Sequence, residues 1–450
     1  MRTTKWLAAG ALSVAALTLA GCATGTVDAA SGEAGQTIPE LAPDQKVEIT
    51  FESYNLAQAG VWTDTITGLI DDFEAEHPNI TVKAQPPQGG SSATASSVQT
   101  QLLAGNPPDV AQMTFDTVDF SVNQLGAQNL DKLVGEDAVE ENFGGAHPFH
   151  PRAKVLGDWN GATYGMPYVF STPVLWFNAT ALEKAGVPAD TDLSTWPEVT
   201  EVAKKITAAT GKPALSINCS VKGGNWCMQA LFKSTGGGVL SDDRKTIEFG
   251  ETASVEAVTE LRKMFDAGVL ANQAATAQGE AFMKGDTAIT LTTSAYQGAF
   301  ISAAKNGGWE LKAAEMPAFD GHDAVPTNSG SGLFIFSQDP AKQRAGWELI
   351  KFMTSDHAYT EISSKIGYLP LRTSLTEDPA ALEPWADANP LIEPNLAQLD
   401  RLQPWVSYPG NSYVQVDDML ATAIEESVFY GKDPAATLAA AQERAQDLIS

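Results

Sequence analysis

The stretch that most constrains this chain runs over residues 165–178 and reads GMPYVFSTPVLWFN. A Gly-Met-Pro-Tyr turn, a Ser-Thr-Pro step and a strand of β-branched and aromatic residues (Val174, Leu175, Trp176, Phe177) follow one another directly. A turn, a polar crossing and a buried strand are what a chain uses to leave one lobe and enter the sheet of another. The segment therefore implies a hinge lying across a cleft, the arrangement of a protein that closes on a small solute. With 450 residues, 43% of them hydrophobic, the chain can bury more than one core.

The N-terminus has the pattern of a secretory signal. Arg2 and Lys5 precede an apolar run from Trp6 to Ala20. That run is about 15 residues, short of the roughly 20 that span a bilayer. It ends Leu19-Ala20-Gly21-Cys22, which resembles a bacterial lipobox, so Cys22 is expected to be the lipidated N-terminus of the mature chain. Residues 22–45 are small, polar and poor in aromatics, and predict a flexible tether. No later stretch is apolar enough to cross a membrane, so the membrane is met through the anchor alone.

There are 28 Lys and Arg against 55 Asp and Glu, a formal net charge of −27. Such a surface repels phosphate backbones and argues against nucleic-acid binding. Cys219 and Cys227 sit in CSVKGGNWC. In an exported chain this spacing favours a loop disulfide over two buried thiols, and a metal pair is less favoured because no histidine or second cysteine pair lies nearby.

Along the first half, residues 47–51, 80–82 and 109–113 predict strands, and 61–76 and 91–103 predict helices. Trp62, Ile66, Ile70 and Phe73 carry the helical spacing of a face packed on a sheet. Strand–helix–strand–helix–strand implies parallel pairing, with ligands at the carboxyl ends of the strands. The last of these strands delivers Phe115 and Asp116. Beyond the hinge, a helix start capped by Ser194 or Thr195 precedes a helical run over 199–206. Strands are predicted at 214–218, 287–293 and 333–336, and helices at 254–267, 279–286, 340–354, 416–429 and 434–449.

The segments WTDTITGLIDDFEAEHPNITV, LLAGNPPDVAQM, GATYGMPY, PVLWFNATALEKAGV, TWPEV, FMKGDTAIT, GWELIKFMTS, IGYLPLR and GKDPAATLAAA occur in that order. Together they resemble the extracellular solute-binding proteins (family 1) of carbohydrate ABC importers, over essentially all of 47–449. STPVLWFN, the polar run after TAITLTT, and GYLP look most like the glycerol-3-phosphate/glycerophosphodiester branch. The resemblance implies an α/β, two-lobed periplasmic-binding-protein-like fold (type II), each lobe a mixed sheet flanked by helices. Residues 46–168 plus 326–366 would form the N-terminal lobe, and 173–320 plus 367–450 the C-terminal lobe. Hinge crossovers would fall near 168–173, 319–327 and 367–371. It also implies a monomer on the outer face of the cytoplasmic membrane, whose partners are a sugar or polyol and the permease subunits.

Residue by residue, the resemblance places Asp116 on ligand hydroxyls, a role that two acceptor oxygens suit. Ser171 and Thr172 match hydroxyl donors in the hinge, and Trp226 matches a cleft tryptophan offering a flat apolar wall. Ser294, Tyr296, Gly330, Ser331 and Tyr368 match further contact positions, with Tyr54 and Tyr408 as lesser candidates. Trp62, Trp176, Trp196 and Trp347 lie on periodic faces and are assigned to packing.

One departure matters. The phosphate-binding branch carries an arginine just after the segment matching Tyr408-Pro409-Gly410-Asn411, where this chain has Asp417-Asp418 instead. A buried phosphate without a fork-shaped cation is poorly compensated. Arg372 and Arg401 are possible substitutes, but neither matches the motif. The departure favours a neutral sugar or polyol over glycerol phosphate.

Two other function classes compete. An exported glycan-acting enzyme would need paired carboxylates roughly 5–10 Å apart, and no catalytic motif, cofactor loop or metal set stands out. The spacing of His147 and His150 is metal-like, but the intervening Pro148 favours a turn. A structural surface lipoprotein would have no ligand at all.

Overall fold

The computed structural model describes residues 37–89 and 93–449. The expected signal peptide, Cys22 and most of the expected tether lie outside these residues.

Val47–Glu52 (β1), Ile80–Gln85 (β2) and Val110–Thr114 (β3) pair in parallel, β1 lying between the other two. The helices Val61–Glu76 and Thr94–Leu103 make the crossovers that parallel pairing requires. A short hairpin, Asp158–Trp159 (β4) with Ala162–Thr163 (β5), precedes Gly165–Ser171 (β6) and Pro173–Asn178 (β7). Only Thr172 separates β6 from β7, yet they belong to different sheets. The predicted crossing is there.

Leu215–Ile217 (β8), Ile289–Thr293 (β9) and Leu311–Ala314 (β10) complete the second sheet in the order β10-β7-β9-β8. The chain then returns as Ser329–Ile335 (β11), giving the first sheet the order β2-β1-β3-β11-β6. Both sheets are mixed: β11 runs antiparallel to β3 and β6, while β8 is parallel to β9. Gly330, with φ +117°, is needed where β11 crosses β6, because a Cβ there would sit 2.0 Å from the Val169 carbonyl oxygen.

Each lobe has its own apolar centre. Ile49, Phe51, Phe73 and Trp347 are buried in the first; Trp196, Phe232, Phe249 and Leu438 are buried in the second. Burying such side chains is worth about 1.5–3 kcal/mol each. The period-two alternation of β7 places Leu175 and Phe177 in the second centre. Val174 and Trp176 face a smaller cluster with Phe282 and Phe300 on the other side. Thr195 caps the helix Trp196–Thr210 in a capping box with Glu198. Trp176, Trp196 and Trp347 are core residues as expected, and Trp62 is half-buried, edge-on to Tyr368 at 5.3 Å.

Two boundaries differ from expectation. Residues 37–45 are docked on the first lobe: the Ile38 amide donates to Leu133 O at 2.8 Å, and Arg344 donates to Ile38 O and Pro39 O. Ile38 and Leu41 pack against the first centre, which is why this part of the expected tether is held. Residues 367–402 also pack on the first lobe, with Leu369, Leu371, Leu375, Leu382 and Leu402 buried in its centre, while Leu391, Gln398 and Arg401 reach the second. The third crossing therefore falls near 403–407. There Gln403 N–H donates to Pro326 O at 3.0 Å, and Val406 exchanges hydrogen bonds with Gln229 of the second lobe.

Cys219 and Cys227 form a disulfide (S–S 2.05 Å). His147 pairs with Asp356 and Asp378, and His150 caps a single helical turn. Among the described residues, no helix is long and apolar enough to cross a membrane.

Candidate functional site

The ladder of β3 ends at Thr114, and Phe115–Thr117 forms a single turn that carries Asp116 off the carboxyl edge of the first sheet. The helix Tyr413–Phe429, packed in the second lobe, brings its first turn to the same place. The Tyr413 hydroxyl donates to Asp116 Oδ2. One helical turn on, Asp417 shares that face. Its Oδ2 accepts from Asn225 Nδ2, in the loop closed by the disulfide. Next to Asn225, Trp226 is half-buried and donates from Nε1 to Asn218 Oδ1 at 2.9 Å. The Tyr408 ring lies 6.3 Å and the Phe120 ring 6.4 Å from that of Tyr413.

The electrostatics of this cluster are unusual. Burial raises the Asp116 carboxyl above its ordinary range, against the opposing hydrogen bonds from Thr114 and Tyr413. Burial, reinforced by the Asp116 charge, raises Asp417 to about 7. Burial also lifts the Tyr408 and Tyr413 phenols well above the usual tyrosine value. No lysine, arginine or histidine among the described residues acts on either carboxylate. The fully buried Tyr408 hydroxyl finds no hydrogen-bond partner among the described residues.

A second contact crosses the same seam. Arg244, at the tip of a turn in the second lobe, pairs with Asp119 of the first at 2.5 Å and stacks over the Trp159 ring at 4.8 Å. It also donates to Ser407 O at 2.9 Å. Beside it lies a cavity of about 130 Å³ whose walls include Phe115, Asn328, Trp405 and Ser407. Asn328 Nδ2, Trp405 Nε1 and Ser407 Oγ have no hydrogen-bond partner among the described residues. A larger cavity, about 780 Å³, opens beside β10 between residues 189–195 and 393–401. Its two cations are already engaged, Arg401 with Glu315 and Lys312 with Glu310 and Ala189 O.

A family description, bacterial extracellular solute-binding protein, matches residues 68–394. The chain belongs to that family. Among its curated relatives is the sn-glycerol-3-phosphate-binding periplasmic protein UgpB of Brucella melitensis, 26% identical over 294 residues. The match takes in 62% of this chain and 65% of that protein, so it spans less than two thirds of the relative's length. Among solved structures, UgpB from Mycobacterium tuberculosis in complex with glycerophosphocholine superposes with TM-score 0.76 at 22% identity, covering 90% of this chain and 98% of the other. The cyclic alpha-maltosyl-1,6-maltose binding protein from Arthrobacter globiformis gives 0.73 at 20% identity, covering 90% and 99%. At these identities the structures establish the two-lobed α/β fold and nothing finer.

Within this solute-binding fold, the predicted contact residues fall into groups. Asp116, Trp226 and Tyr408 gather at the seam described above. Tyr54, Ser331 and Tyr368 lie in the first lobe beneath it: the Tyr54 hydroxyl and Gln112 Nε2 both donate to Ser331 Oγ, at 3.2 and 2.8 Å, and the Tyr368 hydroxyl donates to Asn55 Oδ1 at 3.3 Å. Ser294 is buried at the end of β9 against the turn at Gly367, its hydroxyl without a partner among the described residues. Ser171 is buried opposite Ser329. The others have structural engagements. Thr172 donates to Asn395 Oδ1 and accepts from Gln398 Nε2, locking the crossing from behind. Tyr296 stacks on Phe300 (5.2 Å, 10°) in the outer cluster, and Gly330 serves the close strand crossing.

Neither substitute arginine reaches the seam cluster. Arg372 donates to four backbone carbonyls of the first lobe, those of Thr354, Gly144, His147 and Asn142, and lies over the Phe149 ring. Arg401 is paired with Glu315. Tyr413, Asn225 and the Arg244–Asp119–Trp159 contact were not singled out from sequence. Asp417 was visible only as an acidic residue in place of an expected arginine, and Asn225 as the neighbour of Trp226.

Proposed function

We propose that this chain captures a sugar or polyol in the seam between its lobes and delivers it to the transmembrane permease of an ABC importer. The observation that carries the reading is the meeting of Asp116 with Tyr413 and Asp417 near Tyr408, whose hydroxyl has no partner among the described residues. Carboxylates and phenols placed this way accept from and donate to neighbouring hydroxyls. A guest that touches both lobes favours the closed arrangement by its difference in affinity for the two states, and a permease can read that change. The chain works by binding, without turning its guest over. It acts as a monomer held at the outer face of the cytoplasmic membrane by lipid on Cys22.

A second reading, capture of glycerol-3-phosphate or a glycerophosphodiester, is favoured by what the matched relatives bind. The engagement of Arg372 and Arg401 and the two carboxylates at the seam weigh against it. Thermal shift against a panel of sugars, polyols, glycerol-3-phosphate and glycerophosphocholine separates the readings. Stabilisation by a sugar or polyol that is recovered intact is the expected result. Stabilisation by the phosphates alone would install the second reading, and breakdown of the added glycan would mark an enzyme. Cys22→Ala is expected to release the protein from the membrane fraction.

A further inference from the structure

We infer that the solute this seam is built for carries an amine: its Asp116–Asp417 pair, with Tyr408 and Tyr413 beside it, selects an ammonium-bearing sugar over its neutral counterpart. The inference rests on the reading of carbohydrate capture and narrows it to a substrate class.

The two carboxylates come from different lobes and meet only where the lobes meet. Each is bonded to neutral donors, Asp116 to Tyr413 and Asp417 to Asn225. The cations nearby are committed elsewhere: Arg244 to Asp119 at 2.5 Å and Lys222 to Asp418 at 2.9 Å. The other groups acting on Asp417 are Asp116, Asp418, Tyr408 and Tyr413, none of them positive. Like charges brought together in a partly dehydrated space repel, and closure on a neutral guest leaves that repulsion in place. A carboxylate offers about four acceptor sites, more than the donors that reach either one here. A primary ammonium, with three N–H donors, meets both needs together.

The independent observation is Tyr408. It is fully buried, its hydroxyl has no partner among the described residues, and it lies close enough to Asp417 for that carboxylate to oppose its ionisation. A phenol placed there can hold a sugar hydroxyl next to the ammonium. A quaternary ammonium has no N–H to give and would leave both carboxylates short of donors, so the geometry favours a primary amine.

The test uses the mature chain and matched pairs that differ at one substituent: glucosamine with glucose, galactosamine with galactose, and chitosan disaccharide with cellobiose. N-acetylated forms and choline serve as further arms. Binding is read by calorimetry and thermal shift at about pH 6 and about pH 8, either side of the Asp417 value of about 7. The amine member of a pair is expected to bind about tenfold or more tightly. That preference is expected to shrink at the lower pH, where Asp417 takes up a proton. Asp417→Asn and Asp116→Asn, each with its unliganded melting temperature checked, should bring the two members of the pair together. Equal binding of amine and neutral members at both pH values would overturn the inference and leave carbohydrate capture standing. A response to choline alone would also overturn it. Failure of every saccharide to bind would overturn the functional reading, and this inference with it.

Discussion

The floor of the first lobe and the seam between the lobes are both made of buried hydroxyls, amides and carboxylates, but they are finished differently. On the floor, Ser53 donates to Gln112, and Gln112 and Tyr54 donate to Ser331, so donors meet acceptors within one lobe. At the seam, two carboxylates from opposite lobes act on each other without a cation, and the Tyr408 hydroxyl, Trp405 Nε1 and Ser407 Oγ have no partner among the described residues. A satisfied polar network fixes geometry at little net expense, whereas an unsatisfied one costs about 1–3 kcal/mol per group. The Ser53–Gln112–Ser331 network is thus a rigid base, although Asn55 Nδ2 and the Tyr168 hydroxyl near it have no partner among the described residues, and the seam is where a guest can add the most.

Substitution on the two sides should break that symmetry of composition. Gln112→Leu removes the centre of the floor network, leaving the buried Ser53 hydroxyl without its acceptor and Ser331 with Tyr54 alone. We expect a loss of about 3 kcal/mol, read by denaturant unfolding, with loss of binding in step. Replacing Cys219 and Cys227 together by alanine opens a short loop and should cost about 2–3 kcal/mol. Because that loop holds Asn225 against Asp417, the double variant should lose affinity beyond what its stability loss explains. An affinity unchanged in the folded double variant would show that the loop is a brace for the second lobe only.

Much of this was legible before the structure. Val61–Glu76 and Trp196–Thr210 declare themselves by apolar spacing and, for the second, a Ser/Thr cap, and the step from β6 to β7 by its turn and proline chemistry. β11 begins earlier than the apolar pattern over 333–336 predicts, because Ser-Gly-Ser-Gly has no apolar alternation although Gly330 and Gly332 lie in the paired strand. The course of 367–402 was not legible. It is made of short turns around Pro384, Pro390 and Pro394, and its place is decided by Leu375, Leu382 and Ile392 reaching a core built from distant segments. The site divides in the same way. Asp116, Trp226 and Tyr408 came from a resemblance, while Tyr413 reaches Asp116 across a sequence separation of 297, beyond any local pattern.

Thr172 sharpens the comparison from the hinge side. The resemblance assigned its hydroxyl to a ligand, while the fold gives it to Asn395 and Gln398. Thr172→Val keeps the shape and leaves two buried amides short of a partner. We expect about 1–2 kcal/mol of destabilisation with affinity for the best solute of the panel nearly unchanged. A large affinity loss with normal stability would return Thr172 to the site.

The smallest expected effect has the opposite sign. Asp417 has a folded-state value near 7, above the ordinary carboxylate value of 3.8. A group raised in this way favours the folded chain when protonated. Its contribution is complete below the ordinary value and is lost as pH rises through about 7. Asp417→Asn cannot ionise, so near neutral pH it should make the unliganded protein as stable as the parent or more stable, by up to about 1 kcal/mol. That advantage should disappear as the pH falls towards the ordinary carboxylate range. Measured by thermal unfolding across this window, the difference between variant and parent isolates Asp417 from the other carboxylates. A variant destabilised at every pH would mean that the Asn225–Asp417 hydrogen bond belongs with the satisfied floor network and that the seam holds no repulsion for a guest to relieve.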